Sequence, residues 1–354
     1  MNFHSLFPVL EKYTYLNTAY SGLLSVNTAE WRANHDKEFV AGASEFRERS
    51  ALLIDELRDN ISDLFGSKGE NTFLVPNFSF GFNILLNGLD TSHRFLLLKE
   101  DYPSIVNPVA RMSFEHRDVA IDENMEANIL NTIKTFKPTV FAFSMVQYIS
   151  GFKMDDTFLL KIKSDNPDIL LIADGTQFTG TTNFDFSTSG LDALIGSGYK
   201  WLLGGYGNGY VFLSDQMKDV LYKHINNTNS LTSGENENYV KPFFEPGHLD
   251  SLNFGTLNQS INYLRDLGLD FIEKTTWQLC NTARHSFYKK GLLPYWMYKR
   301  RQQSTIFNLP LAEDIIERID AEGILGARRG KGLRFSFHFY NTENELHRLL
   351  KVLE

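Results

Sequence analysis

A chain of 354 residues, 42% hydrophobic and 22% charged, can fill more than one core, so two domains are expected. A formal charge of −8 argues against a nucleic-acid binder, whose surface would be basic. No apolar run reaches membrane-span length, the N-terminus lacks a signal-peptide pattern, and the single Cys280 permits no internal disulfide, so a soluble cytoplasmic protein is expected.

The opening segment, residues 15–22, is a short apolar stretch that breaks into small polar residues. Two helical patterns follow; the second carries Ile54, Leu57, Ile61 and Leu64 at three- and four-residue steps and stops at Gly66. From Asn71 onward, apolar runs of strand length alternate with amphipathic stretches. The expected strands cover 72–75, 95–98, 118–121, 139–145, 169–173, 191–195 and 209–213. The spacing between the first six is crossover length for βαβ units, and several runs are apolar on both faces, as a sheet covered on both sides requires. The sixth and seventh are joined by a Gly-rich loop without a helix, so that pair is expected to be antiparallel.

A helix is expected from Asp215, then a long polar stretch, 226–246, of the kind that is functional or lies at an interface. One long helical pattern covers about 259–290. The tail reads as strand 304–309, helix 311–322, strand 332–339 and a last helix opened by a Thr342/Glu345 capping box. Along the tail strand, Leu333, Phe335, Phe337 and Phe339 face one way, and Arg334, Ser336, His338 and Tyr340 the other. The fold class is therefore α/β, with a mostly parallel seven-stranded sheet in a large domain over 15–275. A smaller C-terminal α+β domain follows over 276–354, with residues 1–14 packing on it.

Ligands of open α/β sheets bind outside the carboxyl ends of the strands. After the first strand come Asn77, Phe78 and Ser79, where a helix opening on a hydroxyl offers a phosphate seat. After the second come Glu100, Asp101 and Tyr102; after the fourth, Gln147 and Tyr148; after the fifth, Asp174 and Gln177; after the sixth, Ser197, Tyr199 and Lys200. A lysine at such a strand end is a candidate Schiff-base nucleophile, and an Asp at the neighbouring end suits a protonated pyridine nitrogen. Together these are the parts that pyridoxal 5′-phosphate (PLP) requires. Each residue alone has a plainer use: Asp174 as a turn former before Gly175, Ser79 as a helix cap, the tyrosines as packing. Their collection at successive strand ends favours the cofactor. The histidines show no ligand spacing, so no metal is expected.

The residues DGTQ (174–177) and SGYKWLLG (197–204) resemble the class V aminotransferase family, PLP-dependent transferases of fold type I. That family includes cysteine desulfurases, selenocysteine lyases, kynureninases and isopenicillin-N-epimerase-like proteins. FSFGFN (78–83), EDYPS (100–104), VQYISG (146–151), NFGTLN (253–258), GLRFSFHFYNT (332–342) and YLNTA (15–19) extend the resemblance over most of the chain. It implies Lys200 as the aldimine lysine, Asp174 on the pyridinium nitrogen, Gln177 at the ring hydroxyl, and Tyr102 stacked on the ring, with Tyr148 beside it. Phe78, Ser79, Ser197 and Tyr199 would hold the phosphate, helped by Thr256 from the other subunit of a homodimer. Arg334 would grip the substrate carboxylate and Asn17 would lie on the substrate side. The loop before the Arg334 strand carries no thiol where the desulfurases place their catalytic cysteine, which points away from persulfide chemistry. The expected activity is transamination of an amino acid, with a lyase or epimerase reaction as the alternative and a non-catalytic PLP-binding protein behind both.

Overall fold

The computed structural model describes residues 3–223 and 238–354. Two helices meeting at Ala43 (φ 43°, ψ −128°) make one run, α1, Val26–Phe65, which the Ser25 side chain caps and Gly66 stops at φ 65°. The sheet then builds as β1 Thr72–Val75, α2 Phe78–Gly88, β2 Arg94–Leu98, α3 Pro103–Arg111, β3 Glu115–Val119, α4 Met125–Phe136, β4 Val140–Ser144, α5 Asp156–Asp165 and β5 Leu170–Asp174. Strands β6 Ala193–Ser197 and β7 Gly209–Leu213 complete it.

The order across the seven strands is β1-β7-β6-β5-β4-β2-β3. The strands from β6 to β3 are parallel, whereas β7 is antiparallel to both of its neighbours. The loop into β7 is too short for a crossover helix, so the strand can only return in the opposite direction. Along β5, Leu171 and Ala173 enter one core and Leu170 and Ile172 the other. Both faces are buried, which is why the run is apolar without alternation. The edge strand β3 begins earlier than the expected 118–121. Four of its five residues are exposed, so its apolar signal was confined to one end.

Beyond the sheet lies α6, Asp215–Val220, and Lys241–Phe244 forms a single helical turn. Of the expected 226–246 loop, residues 226–237 lie outside the described residues. The single helix expected over 259–290 is two: α7 Ser251–Leu267 and α8 Leu269–Lys289, separated by Gly268 at φ 87° and ψ 124°. Both sides of Gly268 keep their apolar stripes, so periodicity alone ran through the break.

The C-terminal elements are β8 Ile306–Leu309, α9 Glu313–Ala321, β9 Ala327–Arg329, β10 Gly332–Ser336 and α10 Glu343–Val352, the last opened by the Thr342/Glu345 capping box. β10 lies between β9 and β8, antiparallel to both. It ends at Ser336, short of the expected Phe339, because the His338 amide turns to the Asn341 side chain. The N-terminal residues pack against this part: Thr14–Tyr15 pairs with Ile324–Leu325, and Phe7 meets Phe339 and Tyr340. Among the described residues no helix is long and apolar enough to cross a membrane.

Candidate active site

Parallel pairing brings the ends of β4, β5 and β6 side by side. Ser144 stands opposite Asp174, and Asp174 opposite Ile195, two residues before Ser197 on the same strand. After Ser197 the chain folds tightly: the Gly198 amide donates to the Asn208 carbonyl and the Gly204 amide to the Gly198 carbonyl. A β-carbon at Gly198 would lie 2.1 Å from Asn208 Oδ1, so only glycine lets the loop close. That closure sets Tyr199 and Lys200 at the strand end.

A cavity of about 520 Å³ opens there, lined by Asp174 and Lys200 together with Phe78, Ser79, Tyr102, Tyr148, Gln177, Ser197 and Tyr199. Nine of the twelve residues expected from the sequence thus share one wall. Burial pushes the Lys200 amine down to about 7; the charges of Arg334 and Arg329 add to this, and that of Asp174 opposes it. Burial pushes the Asp174 carboxyl up to about 6, against hydrogen bonds from Thr176 and the charge of Lys200. A buried amine that is readily neutral is a nucleophile; a protonated one is not.

The remaining three residues stand differently. Arg334 is 2% exposed, and its Nη1 donates to the Tyr148 carbonyl, while Nε and Nη2 are buried without a partner. Those two nitrogens are one edge of the guanidinium fork, the edge that a carboxylate meets with both oxygens. Asn17 bridges to Ser336 two residues beyond Arg334, and its Oδ1 is also buried without a partner. Thr256 does not reach the cavity. It is fully buried inside α7, where its hydroxyl donates to the Leu252 carbonyl and accepts from Arg32 Nη1 at 2.6 Å. The resemblance implies a role for Thr256 at the other subunit's phosphate; within its own protomer its hydroxyl is held by the helix and by Arg32.

Two further expectations shift in detail. The cap of α2 is Asn77, whose side chain accepts the Phe80 amide at 2.9 Å; Ser79 lies inside the first turn, its hydroxyl donating to Ser104. The Phe78 amide donates to Ser197 Oγ at 2.9 Å, which ties the positive end of α2 to the end of β6. Gln177 uses both ends of its carboxamide on protein: Nε2 donates to the Ala19 carbonyl at 2.9 Å, and Oε1 accepts the Trp201 indole N–H at 2.8 Å. One Nε2 hydrogen is left over.

The aromatic walls meet in two geometries, one edge to face and one stacked. Tyr102 meets Tyr148 at 5.3 Å and 74°, Tyr199 stacks on Tyr206 at 5.0 Å, and Lys200 Nζ lies 5.3 Å from the Tyr199 ring centre. Sequence reasoning did not single out the lining residues Pro76, Ser144, Thr176, Tyr206 and Gly207. Thr176 stood inside a motif already singled out, and Ser144 near the end of a strand already placed. Asp101, placed after the second strand by the sequence, has a role it did not show: its buried carboxylate accepts the Tyr102 amide, the Ser144 amide and the Ser144 hydroxyl. Cys280 is buried in α8 and does not line the cavity.

The site fits PLP on its own terms. An amine for the aldehyde and an acid for the ring nitrogen face one cavity, a helix N-terminus with hydroxyls suits the phosphate, and an unpartnered arginine edge suits a substrate carboxylate. The aminotransferase class-V family model matches residues 27–349. This chain belongs to the class-V aminotransferase family. Its members are PLP-dependent enzymes, and the cofactor of this class-V enzyme is PLP. The chain is 23% identical to a probable cysteine desulfurase of Ureaplasma parvum over 88% of its own length and 84% of that protein. It is 26% identical to an isopenicillin N epimerase of Amycolatopsis lactamdurans over 60% and 58% of the two chains. The cystine C–S lyase C-DES, solved with its product cysteine persulfide, superposes with a TM-score of 0.86 at 18% identity, covering 98% of each chain. This class-V chain thus shares fold type I with enzymes of more than one reaction.

Proposed function

We propose that this class-V enzyme transaminates an amino acid, with Lys200 as the lysine that would hold the cofactor and as the base. The carrying observation is the juxtaposition of a readily neutral buried amine with a buried arginine edge that has no protein partner. When bound, PLP supplies an electron sink that acidifies the substrate Cα proton. Asp174 would hold a proton on the ring nitrogen. The N-terminus of α2, with the Phe78 amide and the hydroxyls of Ser79 and Ser197, neutralises the phosphate. Tyr102 would cover the ring, and Tyr148, Tyr199 and Gln177 would line it. Arg334 and Asn17 orient the substrate by its α-carboxylate, and Lys200 Nζ takes the Cα proton.

Transamination needs one base. Epimerisation needs a second on the opposite face, and the lining tyrosines are poor candidates, since burial raises both Tyr102 and Tyr199 above the ordinary phenol. No cysteine lines the cavity, so persulfide transfer to the protein has no acceptor there. β-Elimination uses the same single base, and the close superposition with a C–S lyase supports it as the second reading. We further propose a homodimer, supported by Phe39, Val40 and Leu52, which stand 64%, 91% and 70% exposed on α1.

The test is to add PLP to the purified protein and to Lys200→Ala, then supply amino acids with an α-keto acid acceptor. Transfer of the amino group with the side chain intact supports transamination. Pyruvate and ammonium from a β-substituted amino acid support elimination instead, and racemisation alone supports epimerisation. A wild type that gains no visible absorption band with PLP defeats the whole reading.

A further inference from the structure

The β9–β10 hairpin places a second arginine beside the first. Ala327 pairs with Arg334 and Arg329 with Gly332. Residues two apart on a strand share a face, so Arg329 and Arg334 are diagonal neighbours on one side of the hairpin. Gly332, opposite Arg329, puts no side chain between them. Arg328 takes the other face, where it is ion-paired with Glu313. Arg329 has no carboxylate partner among the described residues. Its Nη1 donates to the Arg328 carbonyl at 2.9 Å, and its guanidinium lies 5.1 Å from the Tyr20 ring centre.

The hairpin turn packs against the segment that carries Tyr148 into the cavity wall. A β-carbon on Gly330 would lie 3.2 Å from Ile149 Cγ2, next to Tyr148, whose carbonyl holds Arg334. The charge of Arg329 is felt at Arg334, Tyr102 and Lys200. Against these two guanidiniums the cavity lining offers a single acid, Asp174. Like charges placed side by side without counter-ions repel, and an anionic ligand relieves them.

Building on the amino-acid reading above, we infer that Arg329 is a specificity-determining residue and that the substrate is an amino acid with a second carboxylate on its side chain. Arg334 takes the α-carboxylate; Arg329, beside it on the same face of the hairpin, takes the distal one. The planar fork suits each carboxylate with two parallel hydrogen bonds, and the Tyr20 ring holds the Arg329 plane in place.

The experiment uses PLP-loaded protein titrated with L-aspartate, L-glutamate, L-2-aminoadipate and L-alanine, followed by the visible spectrum and by the rise in Tm. At least one dicarboxylic amino acid half-saturates the wild type at lower concentration than L-alanine. Arg329→Gln raises that concentration by about 10- to 100-fold and leaves L-alanine unchanged, and Arg329→Lys recovers part of the loss. Equal half-saturation of the wild type by L-alanine and all three dicarboxylic amino acids overturns the inference. So does an equal effect of Arg329→Gln on L-alanine, or wild-type titrations by both variants. A PLP-loaded wild type whose spectrum and Tm respond to no amino acid defeats the amino-acid reading itself.

Discussion

Gly22 crosses the backbone of Lys200 so closely that a β-carbon at residue 22 would lie 2.0 Å from the Lys200 carbonyl oxygen. The Gly22 amide also donates to the Tyr199 carbonyl at 2.8 Å. The N-terminal segment is thus a strap over the lysine loop, and any side chain must displace one or the other. Gly22→Ala is expected to cost about 1–3 kcal/mol in stability, the usual cost of forcing atoms into a packed site. Denaturant unfolding measures that loss, and the visible band of the PLP-loaded protein should weaken with it. An unchanged midpoint and band would show that the strap yields freely.

Lys200 makes stability depend on pH in a definite direction. Its amine is pushed down from 10.5 to about 7 by burial. Between those values the unfolded chain binds the proton and the folded one does not, so stability rises with pH across the window. The buried charge is a penalty below pH 7 and is relieved above it. PLP-free wild type should therefore gain Tm relative to Lys200→Met between pH 7 and pH 9. A constant difference between the two proteins would contradict the depressed amine.

Asp101 holds the floor of the site with three accepted hydrogen bonds, from the Tyr102 amide and from the amide and hydroxyl of Ser144. Asp101→Asn turns an NH2 toward donors and leaves at least one of them unsatisfied in a dry interior. The expected cost is about 2–3 kcal/mol. Thermal unfolding of the variant checks it, and a loss below about 0.5 kcal/mol would mean that the donors find other partners.

Cys280 offers a separate check on the chemistry. Its thiol is fully buried, pushed up by desolvation, and does not line the cavity. Cys280→Ala should lower stability by about 1 kcal/mol and leave turnover of any accepted amino acid within about twofold. Abolished turnover in a folded, PLP-loaded variant would place the thiol in the reaction.

Much of the site was legible because its residues end strands. An apolar run such as 170–173 can be satisfied only inside a two-sided sheet, and that sheet puts the following residue, Asp174, at its carboxyl edge. The same reasoning delivers Lys200 after β6 and Tyr102 after β2. Where patterning carried less, the reading failed. β3 is an exposed edge whose polar residues hid its start, and Gly268 divides a stripe that continues on both sides.

The sequence by itself determined the class of fold, the cofactor and the poles of the site, Asp174 and Lys200, since strand ends and motifs are local in the chain. Only the tertiary structure decided which groups remain available there. Gln177 is occupied by Ala19 and Trp201, and Thr256 by Leu252 and Arg32, whereas Arg334 keeps a free edge with Arg329 beside it. The physical reason is that a hydrogen bond between residues far apart in the chain depends on strand register and on the path of the N-terminal strap. Neither leaves a periodic trace in the residues themselves.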